Sequence, residues 1–250
     1  MSRRGNIALV TLVLFILAVC WLALPAKGVP ILAYHCVNDN EDIYSVSPEE
    51  FDRQMKYLTE QGYTAISLHE LTQSFLGGAE LPAKPIVITF DDGYQDNYTT
   101  ALPIMKKYGM IGTVFVITDK VDQPGYLTWA EIKDMQAQEF EIGSHTVSHA
   151  VLSELESEQK AQEVTLSKRI IEEKTGRSVE FLAYPFGNYD ISMFDILRQA
   201  GYAGACTGTT GLNKPGANAY RLKRIGIPRT RFGLFEFRLR LWRAEIYSKF

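Results

Sequence analysis

Asp91 and Asp92 stand side by side where the apolar run Ile86-Val87-Ile88-Thr89-Phe90 stops, with Gly93 and Tyr94 after them. Adjacent carboxylates repel each other and cost desolvation, so a cation or a division of protonation states is needed to relieve them. A second apolar run ends in His145-Thr146-Val147-Ser148-His149. One helical turn between these histidines predicts both imidazoles on one face, about 5–6 Å apart at Cβ. Two histidines and one carboxylate make a metal site with open positions, suited to zinc hydrolysis or to ferrous iron. His35 ends a third apolar run, so three of the chain's four histidines lie in these motifs. A divalent ion would take one aspartate as ligand and lower the pKa of its water from about 15.7 toward about 7. The other aspartate is then the general base, and His35 remains to protonate a leaving group. Such a set suits attack on an amide or ester carbonyl better than oxygenation, which has no use for the extra aspartate.

The elements that must hold these groups are legible from patterning. The β-branched run before Asp91 is bounded by Pro82 and Pro85 and reads as a strand buried on both faces, as in a parallel sheet. Its carboxylates therefore fall at the C-terminal strand edge, where parallel α/β folds place their ligand sites. Further strands are expected at Val29 to His35, Tyr63 to Ser67, Gly112 to Ile117, Phe140 to Ser144, Phe181 to Tyr184, Tyr202 to Thr207 and Leu222 to Ile227. Between them, the capping patterns Ser47 with Glu50, Ser67 with Glu70 and Thr128 with Glu131 open helices. Others are expected from Ala101 to Tyr108, from Ser157 to Thr175 before Gly176, and from Ile191 to Ala200. This alternation means an α/β fold on a parallel sheet, and the scattered strand-end motifs fit a barrel rather than an open sheet. The end of the chain, Leu234 to Phe250, lacks turn residues and reads as an amphipathic helix.

With 250 residues, 46% of them hydrophobic, the chain is long enough for one sizeable core. Arg3 and Arg4 precede the apolar stretch Ile7 to Leu24, long enough to span a bilayer at about 1.5 Å per residue. It is expected to be an uncleaved signal anchor or a cleaved signal peptide, with the rest exported. The domain expectations are residues 1–28 for this segment and its linker, 29–230 for a catalytic domain, and 231–250 for a basic tail. From Arg221 onward there are nine Lys or Arg against two Glu, in a chain of net charge −3. No nucleic-acid motif accompanies that basic end. Three cysteines make no disulfide scaffold, and Cys36 and Cys206 read as small buried hydrophobes rather than as a bridge.

Thr89-Phe90-Asp91-Asp92-Gly93 and His145-Thr146-Val147-Ser148-His149 resemble the first two motifs of the polysaccharide deacetylases, carbohydrate esterase family 4, over roughly Val29 to Arg229. The resemblance implies a distorted (β/α)7 barrel that removes N-acetyl groups from N-acetylglucosamine polymers. It implies Asp91 as base, with Asp92, His145 and His149 holding a divalent metal, zinc first, with cobalt, nickel or iron as alternatives. Tyr184-Pro185-Phe186-Gly187 resembles the end of the third motif, implying substrate contacts at Tyr184 and Pro185 and an oxyanion-binding N–H at Phe186. Where the family has an arginine to orient the base, this chain has Phe181, and Arg221 or Arg224 is the expected substitute. The C-terminal Leu-x-His of the family is also absent. Tyr34-His35 instead resembles the permuted branch that includes poly-β-1,6-N-acetylglucosamine deacetylases, which gives His35 the acid role. Tyr94, Tyr98 and Trp129 are candidates for stacking on sugar rings. The implied partners are an acetylated amino-sugar polysaccharide and, through the N-terminal segment, a membrane. Two rivals stand beside this reading: a non-catalytic glycan-binding module, suggested by the missing arginine, and a ferrous oxygenase.

Overall fold

The computed structural model describes residues 11–13, 27–78 and 80–249. The apolar segment from Ile7 to Leu24 lies almost wholly outside the described residues. No helix among those described is long and apolar enough to cross a membrane.

Among the described residues, ten strands and seven α-helices follow from Val29 on. β1 (Ile31–Tyr34) leads into a short parallel ribbon, β2 (Cys36–Val37) with β3 (Ser45–Val46). Then come α1 (Pro48–Glu60), β4 (Thr64–Ala65), α2 (Leu68–Phe75) and β5 (Pro85–Phe90). A π-helical turn, Asn97–Ala101, runs into α3 (Leu102–Lys107), followed by β6 (Thr113–Val116), α4 (Trp129–Ala137) and β7 (Glu141–Ser144). The last third holds α5 (Ser157–Thr175), β8 (Phe181–Ala183), α6 (Ser192–Gln199), β9 (Gly204–Cys206), β10 (Ile225–Gly226) and α7 (Leu234–Tyr247).

The main sheet is parallel throughout, in the order β10-β1-β5-β6-β7-β8-β9, with β4 paired to the start of β5. Hydrogen bonds rather than a full strand pair join its two ends: Thr207 N–H to Leu222 O at 2.9 Å and Arg224 N–H to Thr209 O at 2.9 Å. The sheet is thus curled into a distorted (β/α) barrel whose weakest seam lies between β9 and β10.

Strand alternation produces two apolar layers. Ile31, Val87, Phe115, Phe181, Ala183 and Cys206 form the inner cluster, which Ile66 and, from the start of α2, Leu68 and Leu71 join. Leu32, Ile86, Ile88, Phe90, Val114, Ile142 and Leu182 form the outer layer, against which Phe51, Met55 and Leu58 of α1 and Phe237 and Leu241 of α7 are packed. Burying a side chain of this size stabilises by about 1.5–3 kcal/mol, so both layers are needed to hold strands as short as two residues. At Gly143 in β7 a Cβ would lie 2.4 Å from the Phe115 ring, so only glycine lets that ring fill the barrel. The capping boxes at Ser67 and Thr128 are formed as their sequence implies. Cys36 and Cys206 are free thiols, Cys206 within the inner layer and Cys36 on β2.

Candidate active site

Every group of chemical interest in the opening motifs lies at the C-terminal ends of the strands, around one cavity of about 310 Å³. Asp91 and Asp92 follow β5, His145 follows β7, and His35 follows β1. Asp91 points into the barrel mouth and is 4% exposed. Arg224, 5% exposed, meets it with two hydrogen bonds, Nη1 to Oδ1 at 2.7 Å and Nη2 to Oδ2 at 2.8 Å. The guanidinium is itself fixed, donating from Nε to Thr207 O at 3.1 Å and from Nη1 to Thr89 Oγ1 at 3.3 Å. A planar donor fork suits this bidentate grip, and lysine could not reproduce it. Burial pushes the Asp91 carboxyl up, but the charges of Arg224 and His145 and the Arg224 hydrogen bonds outweigh it and hold Asp91 well below the usual carboxylate range.

Asp92 turns the other way because its backbone is left-handed, φ 72°. Its Oδ1 lies 3.4 Å from His145 Nε2 and 3.5 Å from His149 Nε2. That oxygen is buried and accepts no hydrogen bond. One donor atom from each of Asp92, His145 and His149 falls within 4.8 Å of the others, the grouping expected of a divalent-cation site. His145 Nδ1 sits 2.8 Å from Ala183 O, which fixes Nδ1 as the donor and leaves Nε2 turned toward Asp92, free to take a cation. The donor set fits a divalent ion, and a cation there would satisfy the orphaned Oδ1. Without one, burial lowers and Asp92 and Asp91 raise the affinity of His145 for a proton, with the carboxylates prevailing.

The histidine pair is not brought together by a helix. His145 continues β7, its N–H bonding to Val116 O at 2.9 Å, and Thr146 and His149 are both left-handed, φ 66° and 64°. The loop is pinned from α5, where Glu163 accepts from the N–H of Val147 at 2.9 Å and of Ser148 at 3.0 Å. With Phe186, φ 58°, four of the six described non-glycine residues with positive φ belong to this site. Such strain persists only where the surroundings over-determine it.

His35 lines the cavity with its ring 4.7 Å from that of Tyr44. Asn97 holds its backbone, donating to His35 O at 2.7 Å, and Asp96 accepts from Val37 N–H at 3.0 Å. Phe186 is 63% exposed at the rim, with its ring 4.6 Å from that of His149. The rim turns there because Gly187, φ 70°, passes Gly208 so closely that a Cβ would fall 2.4 Å from its backbone. Tyr94 is also on the wall, stacked on Tyr126 at 5.1 Å.

Five residues expected at the site lie elsewhere. Arg221 is exposed in a helical turn, Ala219–Arg221, so of the two arginines only Arg224 reaches Asp91. Trp129 starts α4 on the outside of the barrel, its ring 6.0 Å from Lys174 Nζ. Tyr184 is buried, donating its hydroxyl to Tyr220 O at 3.0 Å, and Pro185 is buried beside it, so neither is on the cavity wall. Tyr98 likewise turns outward, its hydroxyl 2.9 Å from Asp134 Oδ2. Tyr44, Thr207, Asn97 and Glu163 do site work that the sequence did not single out. Only Asn97 carried a signal, six residues beyond Asp91 in the segment that must return over the strand ends.

The sequence model of the polysaccharide deacetylase family matches residues 78–205. The Bacillus subtilis protein YxkH, named for the same family, is 32% identical over 203 residues, covering 81% of this chain and 72% of its own. The poly-beta-1,6-N-acetyl-D-glucosamine N-deacetylase of Staphylococcus aureus is 26% identical over 196 residues, 73% of this chain and 67% of its own. Among solved structures, the Streptococcus pyogenes deacetylase PplD in complex with acetate superposes with a TM-score of 0.78 at 26% identity, covering 84% of this chain and 98% of PplD.

Proposed function

Because the chain belongs to the polysaccharide deacetylase family and is a carbohydrate N-deacetylase, we propose that it hydrolyses acetamido groups of an N-acetylglucosamine-containing polysaccharide with Asp91 as general base. The observation that carries the assignment is the unlike treatment of the two aspartates. Asp91 has both oxygens oriented by Arg224, while Asp92 offers a buried, unpartnered oxygen to two imidazoles.

Asp92, His145 and His149 would hold a divalent ion, zinc by its fit to two imidazoles and a carboxylate, which when bound would supply positive charge to polarise the acetamide and acidify a water. Asp91 takes the proton of the attacking water as its oxygen bonds to the carbonyl carbon. Arg224 keeps that carboxylate ionised and aimed, at the cost of basicity. The Phe186 N–H, on a left-handed residue lining the cavity, would donate to the negative charge that develops on the carbonyl oxygen. His35, braced by Tyr44 and Asn97, gives its proton to the amine nitrogen as the C–N bond breaks. Acetate and a free amino sugar leave. The binding-module reading rested on the missing arginine at position 181, and Arg224 removes that ground.

The sequence supports export, with the apolar stretch from Ile7 to Leu24 holding the enzyme at the outer membrane face. Extraction of cell membranes with alkaline carbonate should leave the protein in the pellet; release into the supernatant rejects the anchor. For the activity, the zinc-loaded protein is offered N-acetylglucosamine oligomers, poly-β-1,6-N-acetylglucosamine and peptidoglycan, and acetate is measured. Release from at least one of them is expected, and release from none, with metal bound, rejects the proposal.

A further inference from the structure

A second cavity of about 210 Å³ adjoins the catalytic one, and the two share Gly208 and Gly226 as their common floor. A Cβ built at Gly226 would meet nothing within 4 Å, so no side chain stands on this floor, and Arg240 Nη1 lies 3.5 Å from Gly226 O. Arg240, Arg243 and Tyr247 of α7 line its far side. No carboxylate lines it. Arg240 is paired with Glu236 at 2.8 Å, and its Nε is buried without a hydrogen-bond partner. Arg243 is exposed, and among the described residues no acid lies within ion-pair distance of it. Its Nη2 donates to the Tyr247 hydroxyl at 2.9 Å, with the guanidinium carbon 5.6 Å from that ring.

We infer that this groove is a subsite for a negatively charged substituent, a carboxylate or a phosphate, on the glycan whose acetamide occupies the catalytic cavity. The inference rests on the deacetylase reading and names its substrate class. A guanidinium with free donors matches either anion. The tyrosine ring beside it offers a face for a sugar. A neutral polymer has no use for an unpaired arginine beside the mouth.

The test is calorimetric binding of length-matched N-acetylglucosamine oligomers, one neutral, one carrying a carboxylate and one a phosphate, to the zinc-loaded full chain. One of the anionic oligomers should bind roughly tenfold tighter than the neutral one, the size of effect expected of a charge-assisted contact. Arg243→Ala should erase that preference while leaving the neutral oligomer's affinity intact, and Arg243→Lys should retain part of it. In acetate release the same variant should raise KM for the anionic oligomer without changing kcat. Equal affinities in the unaltered protein, or equal weakening of all three oligomers by Arg243→Ala, overturns the inference. Selective, Arg243-dependent binding with no acetate from any oligomer keeps the subsite and rejects the deacetylase reading instead.

Discussion

At the N-terminal ends of the strands, Glu141 accepts hydrogen bonds from Thr113 Oγ1 at 2.8 Å and Leu68 N–H at 3.2 Å, and Ile66, Leu68 and Leu71 close the barrel beneath it. At the C-terminal ends, Asp92 presents an oxygen that nothing in the protein satisfies, beside a carboxylate tied to arginine. Both ends enclose acids. The lower carboxyl is met by neutral donors, and burial pushes it up to about 7, whereas Arg224 and His145 hold Asp91 far below its ordinary value against the same burial. A fold can therefore accept a buried carboxylate in two ways, by favouring its neutral form or by supplying fixed counter-charge. Only the second keeps an ionised base at working pH.

Breaking the upper arrangement should have the largest effect. Arg224→Ala leaves Asp91 buried without its partner, which costs about 3–5 kcal/mol of stability, and it should also abolish turnover. Urea denaturation and acetate release measure the two, and Arg221→Ala, which alters an exposed side chain, should change neither by much. His35→Ala comes next. It should keep the metal and lose about 10²–10⁴-fold in kcat. Loss of bound zinc, measured by elemental analysis, would make His35 a ligand instead.

The smallest effect is expected at the lower end and is one of pH. Glu141 has a folded pKa of about 7, above its ordinary 4.5, so the folded state holds this proton more tightly than the unfolded one. Its contribution is complete below about pH 4.5 and is lost as pH rises through about 7. The melting temperature should therefore fall between pH 5 and 8, and the fall should be shallower in Glu141→Gln, whose amide oxygen can accept from the same two donors. Identical slopes in the two proteins would show that Glu141 is not the group responsible.

The upper end was the more legible of the two in the sequence, and for a physical reason. A β-branched run that stops at charged residues marks a strand end by itself, so Asp91, Asp92, His145 and His35 could be placed at one edge before any fold was known. What could not be read depends on closure of the barrel. Asp91 and Arg224 are 133 residues apart, and Arg221 and Arg224 look alike in sequence. They differ because the first lies in an exposed turn and the second at the seam beside β10, facing the barrel mouth. The helical turn expected between His145 and His149 failed because α5 supplies Glu163 to pin an irregular loop, from a helix whose polar face reads as solvated. Trp129 and Tyr184 failed similarly, since an aromatic near a motif carries no mark of whether it faces the cavity or the core.

Catalysis at this site turns on unlike roles for two adjacent aspartates. Zinc content and acetate release measured side by side on Asp91→Asn and Asp92→Asn test it most directly. Asp91→Asn should retain one equivalent of zinc and lose about 10²–10⁴-fold in turnover, while Asp92→Asn should lose the zinc itself. If Asp91→Asn loses its zinc, or Asp92→Asn keeps it, the division of labour at the head of this barrel is wrong.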